Sequence, residues 1–131
     1  MTIRTVVLVT LLFAANACGS SAPLELETIQ LGRSINPDGS VAMHTTAFKP
    51  SDTIYVAVLT KAAGTGVIKV RWTFYGGVVG EPEKKVAYRE PRATEFHLAN
   101  SGGFPPGDYK VEAFIDGKPV GERPFKVDAT R

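Results

Sequence analysis

From Leu24 onward no helical hydrophobic period lasts longer than two turns; short runs of alternating apolar and polar residues recur instead, each closed by a Gly, Pro, Asn or Asp cluster. A period of two puts one side of each run in a core and the other in water, which is the pattern of antiparallel sheet. Leu24 to Arg33 is the first run, with Leu26, Thr28 and Gln30 on one face and Ile29 and Leu31 on the other. Val41 to Phe48 is a weaker second run, and Thr53 to Thr60 and Val67 to Tyr75 are the clearest. In the last of these Ile68, Val70, Trp72 and Phe74 point inward, while Lys69, Arg71 and Thr73 point out. Lys85 to Arg89, bracketed by Pro82 and Pro91 and rich in charge, reads as an edge strand. Thr94 to Ala99, Tyr109 to Asp116 and Val120 to Val127 complete the set. The turn signals between runs are Asn36-Pro37-Asp38-Gly39, Ala62 to Gly66, Gly76-Gly77, Ser101 to Asp108 and Asp116-Gly117.

Strands repeating at about 8–12 residues define an all-β sandwich, here of seven to nine strands. Two residues narrow this to an immunoglobulin-like antiparallel β-sandwich. Trp72 lies mid-strand, where such domains bury a tryptophan, and Tyr109 opens the penultimate strand after Pro106-Gly107-Asp108, where its hydroxyl can turn back to the backbone. The single Cys excludes an internal disulfide and any Cys-rich zinc module, so packing alone must hold the sheets together. A length of 131 residues fits one domain, and 44% hydrophobic residues suffice to give it a core.

The amino terminus has a different character. Arg4 precedes an uncharged run of ten residues, Val6 to Ala15, half of what a membrane span needs. Ala15-Asn16-Ala17 then supplies small residues at a cleavage site, so residues 1–17 read as a signal peptide. Cys18 follows at once. The stretch Ala15-Asn16-Ala17-Cys18-Gly19 resembles the lipobox of bacterial lipoproteins, departing from it at Ala15, where Leu is usual, and at Asn16. The resemblance implies diacylglycerol on the Cys18 thiol, residues 18–23 as a short tether, and a membrane partner reached through lipid. Gly19 stands where an inner-membrane retention signal would carry Asp, so the resemblance implies the outer membrane of a two-membraned bacterium. Ordinary signal peptidase cleavage at the same bond would release a periplasmic or secreted soluble protein instead. Residues 24–131 form the domain. Residues 53–127, above all Phe104 to Val127 (FPPGDYKVEAFIDGKPVGERPFKV), resemble a group of bacterial exported immunoglobulin-like domains. That resemblance implies a fold and an exported life, and brings no catalytic residue.

Little chemistry is written along the chain. A net charge of +2 with interleaved signs gives no reason to expect nucleic acid. There is no G-x-S-x-G, and neither Gly64-Thr65-Gly66 nor Gly76-Gly77 opens a helix as a phosphate loop does. His44 and His97, the only histidines, read as solvated or satisfied side chains, and Asp108 and Asp116 as turn carboxylates. Lys69, Arg71, Lys84 and Lys85 could form a basic stripe, set against Glu81, Glu83 and Glu95. No catalytic residue, metal or cofactor is expected. The reading is a non-catalytic interaction or structural module in the cell envelope, with an envelope protein as a possible partner. A soluble ligand-binding or inhibitor protein stands second, and a small hydrolase a remote third. The loops Ala62–Gly66, Glu90–Arg92 and Asp116–Lys118 should gather at one end of such a sandwich as contact surfaces.

Overall fold

The computed structural model describes residues 22–129; the leader, Cys18 and the first residues of the tether lie outside the described residues. Nine strands follow in order: β1 (Leu26–Gly32), β2 (Ala47–Phe48), β3 (Ile54–Thr60), β4 (Gly64–Phe74), β5 (Gly77–Gly80), β6 (Glu83–Tyr88), β7 (Arg92–Leu98), β8 (Gly107–Ile115) and β9 (Lys118–Val127). The described residues contain no helix. One sheet has the order β1-β3-β7; the other has the order β2-β9-β8-β4-β5, with β6 on the same edge of β4 further along. All pairings between these strands are antiparallel except β2 with β9. The first part of the chain thus crosses from one layer to the other, β1 on β3 and β2 beside the last strand. This is the immunoglobulin-like sandwich that the strand spacing predicts.

Alternation places the core between the layers. Ile29, Leu31, Ile54, Val56, Val58 and Phe96 face Ile68, Val70, Trp72, Val111, Phe125 and Val127, all buried. Trp72 has no exposed surface, and its ring meets Phe125 edge-on with centroids 6.0 Å apart. The Tyr109 hydroxyl donates to Pro105 O at 2.7 Å, closing the tyrosine corner, and its ring stacks on Phe125. Burial, reinforced by the neighbouring Tyr75, raises the Tyr109 pKa above its ordinary value.

Four local expectations are corrected. Val41 to Phe48 is not a strand beyond Ala47–Phe48. Its first part closes a hairpin on Asn36 to Ser40, where the Asp38 carboxylate accepts from the Ser40 amide and hydroxyl. That hairpin folds over the outward face of β1-β3-β7: Gln30 Oε1 accepts from Val41 N at 3.0 Å, which accounts for the full burial of outward-facing Ala57, Gln30's cross-strand partner. Secondly, Leu26 packs with Ile29 against the core although the alternation puts them on opposite faces, because a bulge shifts the register between Leu26 and Thr28. Thirdly, Gly64 to Gly66 belong to β4, leaving only Lys61 to Ala63 as loop. Lastly, the β4–β5 turn uses Tyr75 (φ 45°) and Gly76 (φ 82°) rather than the Gly76-Gly77 pair.

Candidate functional site

The residues with most chemical potential are dispersed. His97 lies on the exposed face of β7, its Nδ1 2.6 Å from Glu95 Oε1 and its ring beside Tyr55. His44 bridges to Gly32 beyond β1, so β1 and β3 separate the two imidazoles. Asp116 accepts from Val67 N at 2.9 Å and sits at φ 50° in the β8–β9 turn, the turn role expected of it. Asp108, expected as a turn carboxylate, is instead a residue of β8: its carboxylate lies 3.9 Å from Lys126 Nζ, and its carbonyl accepts from Tyr75 N. No three His, Cys, Asp or Glu side chains among the described residues converge as metal ligands. A cleft of about 470 Å³ lies between the hairpin tip and the start of β7, with Glu27, Asp38, Ser40, Thr60, Glu90 and Arg92 in its walls. It holds no histidine or cysteine to act as base or nucleophile. Asp38 accepts from the Ser40 amide and hydroxyl across the turn, and these hydrogen bonds keep its carboxyl below the ordinary pKa.

The basic stripe forms only in part: Lys85, opposite Val67 in register, stays on the face of Lys69 and Arg71, but acids break the row and Lys84 leaves it. Arg71 binds Glu81 at 2.5 Å and lies 3.7 Å from Glu112, and the bond from Arg71 holds the Glu81 carboxyl below its usual range. Lys69 and Arg71 both cover the ring of Phe114, at 4.6 and 4.7 Å, which explains how an outward-facing phenylalanine stays buried. Lys84 points the other way. Opposite Ile68 in register, it reaches across the open side of the sandwich, donates to Glu95 O and lies over the Phe96 ring. The lysine therefore caps a carbonyl of β7 at its unpaired edge, a device that blunts strand-to-strand association.

Two features of the ends remain. The expected gathering of loops is present: Thr60 pairs with both Leu26 and Arg92, Gly64 with Tyr88, and Ile115 with Lys118, so the Lys61–Ala63, Glu90–Arg92 and Asp116–Lys118 segments share one end. Two of its cations pair locally, Lys61 with Glu25 at 3.8 Å and Arg92 with Glu90 at 3.6 Å. At the other end stands an apolar ridge that sequence reasoning passed over. Tyr75, Val78 and Val79 are 69%, 56% and 50% exposed on the β4–β5 hairpin. Beside them Val79, Phe74, Leu98, Phe104 and Pro105 line a hollow of about 290 Å³. The uncharged run from Phe74 to Gly80 was the available signal, but alternation alone does not say that its return strand closes an edge.

No family model matches the sequence, and no curated protein does. Among solved structures, the chain is similar to an immunoglobulin-like protein from Pseudomonas aeruginosa, with a TM-score of 0.57, 14% identity, and coverage of 84% of this chain and 100% of that one. It is also similar to part of an alkylpurine DNA glycosylase from Pseudomonas fluorescens, with a TM-score of 0.50 and 11% identity, covering 82% of this chain and only 31% of the glycosylase. At these identities the likeness is one of fold: it supports the immunoglobulin-like sandwich, and the glycosylase's activity does not transfer with it.

Proposed function

We propose that the chain is an exported lipoprotein, cut ahead of Cys18, acylated on that thiol, and held at an envelope membrane as a non-catalytic interaction or structural module. The observation that carries this reading is the order of Arg4, the apolar run Val6 to Ala15, Ala15-Asn16-Ala17 and Cys18, followed within a few residues by the folded body. In a two-membraned bacterium the Gly19 position favours the outer membrane. An immunoglobulin-like sandwich suits contact through strand edges and end loops, and the dispersal of His44, His97, Asp108 and Asp116 supports a role without catalysis. Radiolabelled palmitate fed to producing cells should mark the wild-type protein and leave Cys18→Ser unmarked. A processed, unlabelled protein recovered from periplasm or medium would replace the tether with a soluble ligand-binding protein. Turnover of generic ester, peptide or glycoside substrates by purified protein would overturn the non-catalytic role.

A further inference from the structure

We propose that the end of the sandwich carrying the Lys61–Ala63, Glu90–Arg92 and Asp116–Lys118 segments is its membrane-facing end, resting against lipid headgroups and turned away from protein partners. The inference rests on the acylation of Cys18 proposed above and deepens it. The exit of the tether is fixed: the Ala22 carbonyl accepts from Thr65 N at 2.9 Å, Pro23 bridges Thr65, and Leu24 is buried in the core. Gly64 makes room for this, since a Cβ there would lie 3.0 Å from Pro23 O and 3.1 Å from Ala22 O. The chain therefore leaves the body at the start of β4, among those three segments.

Length decides the rest. Four residue steps separate Cys18 from Ala22 and can span at most about 14 Å. The 11 residues of β4 place Phe74 about 34 Å from Gly64, so an anchor at Cys18 keeps the near end at the headgroups and carries the far end clear of them. Surface chemistry agrees. The exposed large apolar side chains, Met43, Tyr75, Val78 and Val79, lie toward the far end, so none of the described residues at the near end presents a large apolar side chain to the acyl layer. The near-end ion pairs Lys61–Glu25 and Arg92–Glu90 leave little net charge to select anionic lipid. The contact belongs to zwitterionic and anionic bilayers alike, set by the tether. The segments expected as a partner surface are sheltered, and the Tyr75 ridge is the face presented outward.

The test uses full-length acylated protein in phosphatidylcholine vesicles carrying a trace of headgroup-labelled acceptor lipid. A donor dye is placed at Lys118→Cys or at Val78→Cys, the Cys18 thiol being consumed by acylation. Energy transfer from position 118 should exceed that from position 78 by about twofold, since their levels on β4, Ile68 and Thr73, lie five residues or about 17 Å apart. The difference should persist at high salt. Equal or reversed transfer in vesicle-bound protein would overturn the orientation and leave the lipoprotein reading standing. Protein that takes up no palmitate and does not bind the vesicles would overturn that reading, and the orientation with it.

Discussion

Trp72 is fully buried, yet its indole N–H has no hydrogen-bond partner among the described residues. Two effects therefore oppose each other at this residue. Its ring fills the space between the layers, and truncation to alanine should cost about 3–5 kcal/mol. Its N–H is an unmet donor whose desolvation costs about 1–3 kcal/mol, so Trp72→Phe loses some packing but also loses that penalty. In urea titrations Trp72→Ala should lose most of the native population's stability, whereas Trp72→Phe should fall within about 2 kcal/mol of the parent. Burial of this residue was legible in the alternation around it; the unpaired donor was not, because it depends on which groups from distant strands surround the ring. Tyr109 yields a pH prediction. Its pKa is raised above 10.0 by burial, so the folded state holds the phenolic proton more tightly than the unfolded chain. The stability this contributes is complete below pH 10 and is lost as pH rises from there through the folded-state value. Melts from neutral to strongly alkaline pH should show that loss in the wild type and a shallower one in Tyr109→Phe. At neutral pH the same variant, lacking the bond to Pro105 O, should be less stable by about 1–2 kcal/mol.

At the scale of elements, the hairpin over β1-β3-β7 depends on one missing side chain. A Cβ on Gly32 would lie 2.1 Å from Met43 O and 2.3 Å from Val41 Cγ1. Neither the backbone of Met43 nor the buried Val41 can yield that much, so Gly32→Ala should lift the hairpin from the sheet and expose Ala57. Hydrogen exchange at Val41 and Ala42, whose amides bond Gln30 Oε1 and Ser34 O, should accelerate far more than exchange within β8. The sequence marked the turn of this hairpin, Asn36-Pro37-Asp38-Gly39, but not its docking on the sheet, because its apolar residues are too few to alternate and its anchor is a side-chain amide 11 positions away. β3, β4 and β8 were legible because each presents an unbroken apolar face to the opposite layer, and β9 through the apolar pair Phe125 and Val127 at its end. β1 was legible in extent but not in facing, since a bulge breaks the period of two. Lys84 shows the same boundary between pattern and fold. Its charge marked an edge strand, but its reach to Glu95 O comes only from the way β6 and β7 flank the open side. Lys84→Ala should leave the melting midpoint close to the parent and raise light scattering on concentration, as the β7 edge loses its cap.

For the whole molecule, the decisive arrangement is a division of surfaces between two ends. Immunoglobulin-like connectivity collects the start of β1, the end of β3 and the β8–β9 turn at one end, where Lys61 pairs with Glu25 and Arg92 with Glu90 and no large apolar side chain among the described residues is exposed. The connectivity sends the β4–β5 hairpin, the only described edge with contiguous exposed large apolar residues, to the other. The gathering of loops was legible in the strand order; the apolar ridge was not, because its meaning depends on β5 being the last strand of its sheet. An uncharged strand at an open edge invites pairing with another chain, and soluble proteins usually place a charge there. Its persistence at Val78 and Val79 is therefore unlike the treatment of β7, where Lys84 covers the edge. If Val78 serves contact rather than folding, a charge at that position should leave the fold intact and remove the contact. Val78 pairs with Thr73 on the outer side of the sheet and is 56% exposed, so Val78→Lys buries no charge and removes little packing. Its unfolding free energy should stay within about 0.5 kcal/mol of the parent. Concentration-dependent light scattering, and any capture of envelope protein by the purified chain, should fall in the same variant. A loss of stability of several kcal/mol would instead make Val78 part of the core and leave the far end without an exposed contact ridge.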